Sequence, residues 1–271
     1  MATLGRMLRT VEVTRYVTPL REGSSLPALV EADDGAEYVV KFRGAGHGEK
    51  ALVAEVLVGE IGRLLGLPVP EIVLAVLPES IARGESHDEI RDLLGWSVGL
   101  NAGLAFIPGA LAADLTRTPP EGPDWAADVV WFDDLTINPD RTPRNANLIV
   151  AHGRSWLIDH GSALYVHHAW TDPDAHARRA FERIADHVLL PFAGPIDEAD
   201  ARLAPRLEGG ALDAIIDAIP DAWLRDERFE GGARDERDAY RRYLRGRLEA
   251  RSVWVGEAER ARLEVQRAAV A

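Results

Sequence analysis

The 271-residue chain contains no cysteine, which excludes disulfides and thiolate metal sites and fits a reducing compartment. No apolar run approaches the roughly 20 residues that a bilayer-spanning helix requires. The first dozen residues carry charges where a secretory signal would have a continuous apolar stretch. A cytoplasmic protein is the expectation. An excess of positive charge is also missing: 31 Lys and Arg face 44 Asp and Glu, a net charge of −13. A global electrostatic footprint for nucleic acid is therefore excluded, although a local basic patch toward the Arg-rich C-terminus stays open. The acidity itself favours solubility and says little about fold.

Two further scarcities are more telling. Of the 31 basic residues only Lys41 and Lys50 are lysine. Asparagine occurs four times, and three of the four fall in Asn138-Pro-Asp140-Arg-Thr-Pro-Arg-Asn145-Ala-Asn147. A composition that uses arginine almost everywhere makes a lysine inside the strand-like Glu37-Tyr-Val-Val-Lys41-Phe conspicuous. Arg and Lys differ where a compact point charge must reach a phosphate.

What is present divides the chain in two. Residues 11–18 and 27–32 are rich in β-formers, and Asp33-Asp-Gly35 is a hairpin signal before a strand at 38–42. Residues 49–65 have a helical pattern closed by Gly66 and Pro68. A short strand follows at 72–77, then a polar stretch at 79–95 with room for a short helix, then apolar segments at 96–100 and 104–107. Beyond a Pro-rich loop the spacing predicts helices at 125–137, 174–188, 197–207, 210–218, 220–228 and 232–251, with a charged helix after Gly256. Strands with one helix, a connector and a mostly helical half make an α+β chain. The expected division is an N-lobe of 1–103 and a C-lobe of 104–271.

An Asp, an Asn five residues later, and a hairpin returning a second Asp form a pattern suited to phosphoryl transfer. The first Asp accepts the proton of the attacking hydroxyl, while the Asn and the last Asp hold the metal on the phosphates. Asp140, Asn145 and Asp159 fill these places. An amide oxygen and a carboxylate are suitable hard ligands for magnesium. Asp-x4-Asn alone is weak, since Asn, Pro and Asp are also turn formers; the clustered asparagines and the following strand pair strengthen it. Asp159-His-Gly161 would otherwise be a plain strand-end turn, with His160 a packing residue.

Lys41 would pair with the nucleotide phosphates, held by a carboxylate, or else lie on the solvent face of an edge strand. Glu55, isolated in Ala51-Leu-Val-Ala-Glu55-Val-Leu-Val, is the first candidate partner. Glu60, about 140° round the helix, is the second. Gly23, Ser24 and Ser25 occupy the place of a phosphate-covering loop. Residues 105–109, Phe106 among them, stand where adenine would meet a hinge backbone, and Leu148 and Ile158 would line the floor beneath it or simply belong to the core.

With these residues in place the chain resembles the HipA-like kinase family, particularly its short stand-alone members. The resemblance spans about residues 25–250. Its specific blocks are Glu37–Phe42, Lys50-Ala-Leu-Val-Ala-Glu55, Leu65-Gly-Leu-Pro-Val-Pro70, Asn138–Asn147, Leu157-Ile-Asp-His-Gly161 and Ile219-Pro-Asp-Ala-Trp-Leu224. It implies a bilobal protein-kinase-like fold with a small antiparallel β N-lobe carrying one helix and a larger helical C-lobe. It also implies ATP and Mg2+ as cofactors, phosphorylation of Ser or Thr in a protein, and autophosphorylation at Ser24 or Ser25. By carry-over Asp140 is the base, Asn145 and Asp159 the metal ligands, and Lys41 the phosphate lysine. Asn138 stands where eukaryotic and aminoglycoside kinases have His, and Asp-His-Gly replaces Asp-Phe-Gly. Two other readings stay open. One is a small-molecule kinase drawing a cationic sugar or antibiotic to Asp172, Asp174, Asp197 and Glu198. The other is a non-catalytic nucleotide-binding module.

Overall fold

The computed structural model describes residues 8–20, 26–46, 48–116 and 118–270. Its first part is a five-stranded sheet: β1 (Arg9–Pro19), β2 (Ala28–Ala32), β3 (Glu37–Lys41), β4 (Ile72–Leu77) and β5 (Gly99–Ala105). The strand order is β1-β2-β3-β5-β4, and all neighbouring pairs in that order are antiparallel. β1 is long and irregular. Its second half pairs with β2, while Arg9–Glu12 run parallel to Val73–Val76 of β4, so the sheet curls back on itself. Alternation of side chains fills the inside of this curl with Val11, Val13, Val30, Tyr38, Val40 and Val73.

Helix α1 (Gly48–Leu64) lies between the sheet and the rest of the molecule. It is buried over most of its length, from Leu52 to Gly59 without interruption. Its apolar side chains share one continuous core with the helical half. Two glycines allow the close approach. A Cβ on Gly59 would come within 2.4 Å of Ile72 Cδ1, and one on Gly62 within 2.9 Å of Val69 Cγ2. Gly to Ala normally favours a helix by about 0.5–1 kcal/mol. Here Gly59→Ala is expected to destabilise by about 1–3 kcal/mol, because overpacking a filled core outweighs propensity. Thermal denaturation decides it; a raised melting temperature would refute the packing argument.

The polar stretch after β4 forms two short helices, α2 (Glu79–Gly84) and α3 (Asp88–Trp96), where the sequence suggested one. Parts of the apolar segments 96–100 and 104–107 join in the single strand β5 (Gly99–Ala105), while Trp96 ends α3 and Phe106 and Ile107 lie beyond the strand. Beyond it, the two-residue strand β6 (Leu111–Ala112) joins the β7 (Leu148–Ala151) and β8 (Arg154–Leu157) hairpin in a second sheet. Between β6 and β7 runs helix α4 (Pro123–Leu135), with Pro in its first turn. The helical half contains α5 (Pro173–Ala177), α6 (Ile196–Leu203), α7 (Ala211–Asp217), α8 (Ala233–Glu249) and α9 (Arg251–Val270), joined by 3-10 turns.

Two predicted helices are much shorter than their patterns. The one expected over 174–188 stops at Ala177. The chain then turns so that Phe181 and Ile184 enter the core and the Val188 N–H donates to the Arg141 carbonyl. The one expected over 220–228 is only the 3-10 turn Asp221–Trp223, since Trp223 is drawn into the core and donates to the Leu100 carbonyl. In both cases long-range burial and hydrogen bonding override a local periodicity.

Candidate active site

β3 ends at Lys41, one residue after Val40, so its side chain leaves the sheet on the face opposite Val40 and points toward α1. There Lys41 Nζ donates to Glu55 Oε2 at 2.6 Å and to Asp159 Oδ1 at 2.5 Å. Glu55, fully buried on α1, also accepts the backbone N–H of His160 at 2.9 Å. The three charges thus bring together β3, α1 and the exit of β8, 118 residues apart at the extremes. Glu60 instead pairs with Arg63.

Burial shapes the electrostatics of this triad. Desolvation penalises the Lys41 ammonium, yet the two carboxylates prevail and hold its pKa above the ordinary value. Desolvation likewise opposes the Asp159 carboxylate, but Lys41 outweighs it and Asp159 stays below its ordinary value. For Glu55, desolvation dominates and raises its pKa. His160 is buried and neutral, pushed down to about 3 by desolvation, and packs edge-on against Phe132 at 5.7 Å. Its side chain is a packing group and its backbone N–H does the anchoring. Asp159 has φ +58°, a left-handed conformation that Asp tolerates better than most residues and that is enriched at functional sites.

The loop after α4 forms the second half of the site. Asp140 Oδ2 accepts the side-chain amides of Asn145 at 3.1 Å and Asn147 at 3.3 Å. The Asp140 N–H donates to Asn138 Oδ1, and Asn138 in turn donates to Asp133 Oδ1 at 3.0 Å. Three of the four asparagines therefore brace Asp140, two through its carboxylate and one through its backbone N–H. With its amide nitrogen committed to Asp140, Asn145 is left with its oxygen for a ligand, and its side chain is exposed.

The frame beneath this loop was not anticipated from the sequence. Arg141, only 1 % exposed, donates to Asp133 Oδ2 and to the Asn147 carbonyl, both at 2.5 Å. The Asn147 carbonyl also accepts the Ile158 N–H at 3.1 Å, which ties the Asp140 loop to the strand that presents Asp159. His187 completes the frame: its Nδ1 accepts the Leu189 N–H, so Nε2 carries the proton and donates to Asp133 at 2.9 Å. The arginine directly after Asp140 was the one local signal; His187, far along the chain, offered none.

Desolvation works against the Asp133 carboxylate, but Arg141 and His187 hold it far below the ordinary value of 3.8. A carboxylate with a lowered folded-state pKa gives stability that is present above the unfolded value and lost as pH falls through the folded one. Asp133→Asn is therefore expected to cost about 3–5 kcal/mol at pH 7, since it strips a buried arginine of its counter-charge. It should also flatten the acid limb of the stability curve. Urea melts at pH 7 and pH 3 check this; parallel losses in the two proteins would contradict it.

The residues expected beside adenine come from the exits of β5 and β8 and from β7. Phe106, just beyond β5, spends its N–H on the Glu37 carbonyl at 3.0 Å. Leu148, opposite Leu157 in the hairpin, is buried in the main core, and Ile158 is half-buried. Gly23, Ser24 and Ser25 lie outside the described residues. Among the described residues no three His, Cys, Asp or Glu side chains gather into a self-contained metal site, and no helix is long and apolar enough to cross a membrane.

The HipA-like kinase family profile matches residues 12–255. No curated protein matches the chain. Among solved structures, the Helicobacter pylori proinflammatory kinase CtkA superposes with a TM-score of 0.54 at 16% identity, over 94% of this chain and 98% of that one. The Golgi casein kinase with Mn/ADP bound superposes with a TM-score of 0.50 at 11% identity, over 94% of this chain and 73% of that one. At such identities the likeness is one of fold: a bilobal, protein-kinase-like architecture.

Proposed function

The chain belongs to the HipA-like kinase family, and on that premise we propose that it transfers the γ-phosphate of ATP, with Mg2+, to a Ser or Thr hydroxyl of a protein. The observation that carries the reading is the convergence of Lys41, Glu55 and Asp159 on one point, with Asp140 and Asn145 braced on the adjoining loop. The Mn/ADP bound by the Golgi kinase supports a nucleotide and a divalent metal here.

The residues fit such a ligand. Asn145 and Asp159 would hold the magnesium ion through hard oxygens, with the phosphates completing its shell; that suits Mg2+, which uses one or two carboxylates plus substrate oxygens. When bound, the ion neutralises phosphate charge. Lys41, kept protonated by two carboxylates, places a point charge for the phosphates, and Glu55 fixes its position. Asp140, its Oδ2 oriented by two amides, receives the proton of the acceptor hydroxyl. Rate then comes from positioning and electrostatics, with little covalent work by the protein. Phe106, Leu148 and Ile158 would flank adenine across the junction of lobes 1–103 and 104–271.

The cationic small-molecule reading finds less support. Asp172 is spent on the Ala175 N–H. Asp174 lies in a groove where Arg178, Arg241, Arg242 and Arg245 balance the acids. Labelled γ-phosphate transfer from ATP with magnesium, with and without host lysate, tests the proposal. Label on this chain or on a lysate protein is expected. ATP binding with no labelled protein would reject a protein acceptor.

A further inference from the structure

The chain's second lysine is absent from the chemistry above, as is the block Ile219–Leu224. The two meet. Lys50, in the first turn of α1, donates to the His167 carbonyl and to Asp226 Oδ2, the latter at 2.5 Å. Asp226 is itself held by Arg228, which also donates to the His168 and Ala169 carbonyls. Just upstream, Trp223 donates to the Leu100 carbonyl of β5 at 3.2 Å. Arg237 ties the start of the same segment through the Ile219 carbonyl and Asp221. Residues 219–228 thus form a strap from the helical lobe that grips α1 and β5 of the other lobe. The far end of α1 is fastened as well, by Arg206 donating to the Leu65 carbonyl at 2.5 Å.

We propose that Lys50 is a positioning residue for the phosphotransfer site: bound to Asp226 and to the His167 carbonyl, it fixes α1 to the helical lobe and so holds Glu55 where it meets both Lys41 and the His160 N–H. The inference rests on the function proposed above. Glu55 must satisfy groups from both lobes, because Lys41 comes from β3 and His160 follows β8. A helix free to shift with the sheet would keep the first contact and lose the second. Lysine suits the role. Its compact ammonium reaches a carbonyl and a carboxylate together from a largely buried position, in a chain that otherwise prefers arginine.

Hydrogen exchange at the His160 amide reports the Glu55 contact without requiring activity. Lys50→Met removes the charge but keeps the stem, and leaves Asp226 paired with Arg228, so folding should survive. His160 protection is expected to fall about tenfold while core amides of α4 keep theirs, and kcat should fall by a similar factor with nucleotide KM nearly unchanged. Asp226→Asn, which breaks the Lys50 ion pair but spares the His167 contact, should change both readouts in the same direction, and the double variant should do little more than Lys50→Met, because the two changes share the Lys50–Asp226 pair. Unchanged His160 protection in both variants would overturn the proposal. So would equal loss at every amide, which marks general destabilisation, or additive single effects. If the wild type labels no protein, the protein-acceptor reading fails while the exchange result still decides the role of Lys50 in placing Glu55.

Discussion

Asp140→Asn is expected to lower phosphate transfer by about 10²–10⁴-fold, the range for losing a positioned proton acceptor. The effect should fall on kcat. Asparagine has nearly the same shape, and the contacts that hold this backbone do not involve the Asp140 carboxylate. The N–H still reaches Asn138, the carbonyl still accepts from Asn147, and Arg141 still bridges Asp133 and the Asn147 carbonyl. The fold and nucleotide affinity should therefore persist. Single-turnover transfer together with nucleotide titration separates the two effects. Wild-type turnover in the variant would remove Asp140 from the role of base.

Asp159→Asn is expected to act differently, because Asp159 has two tasks. As a proposed ligand it supplies the negative charge that attracts the metal, so the magnesium dependence of nucleotide binding should fall by at least the 10–100-fold seen when even outer-shell metal partners are lost. Transfer should be abolished with it. As a partner of Lys41 it shares the ammonium with Glu55, and there its loss is cushioned. Glu55 remains bound to Lys41 and is relieved of a like charge that raises its pKa. Stability should consequently stay within about 1 kcal/mol of wild type. Calorimetric titration of ADP with magnesium and with chelator gives the test. Magnesium dependence equal to that of the wild type would exclude Asp159 as a ligand.

Both substituted residues stand out in the sequence. Lys41, Glu55, Asp140, Asn145 and Asp159 could be named because each stands out against its own surroundings: a lysine in an apolar strand, an acid in an apolar helix, asparagines gathered in one loop. Their partners are also brought close by short connections, a strand-to-helix step for Lys41 and Glu55 and a hairpin for Asn145 and Asp159. Choosing Glu55 over Glu60 already required the helix period. The α+β order was readable for the same reason, since strand and helix periods and turn residues act locally.

Contacts between distant residues were not readable. In a chain with 44 acids and 31 basic residues, almost any Arg has many candidate partners. Nothing in the linear order selects Asp133 for Arg141 and His187, Asp134 for Arg247, or Asp226 for Lys50. These pairs exist because tertiary packing moves them out of water into an interior where an unpaired charge would cost several kcal/mol. The same packing cut the expected helices over 174–188 and 220–228, pulling Phe181 and Trp223 into the core. The sequence by itself determined which side chains carry charge and hard oxygens, because those are properties of single residues in local frames. Only the tertiary structure decided how they are held, through Arg141 beneath the Asp140 loop and the strap on α1, because burial selects partners without regard to their separation along the chain.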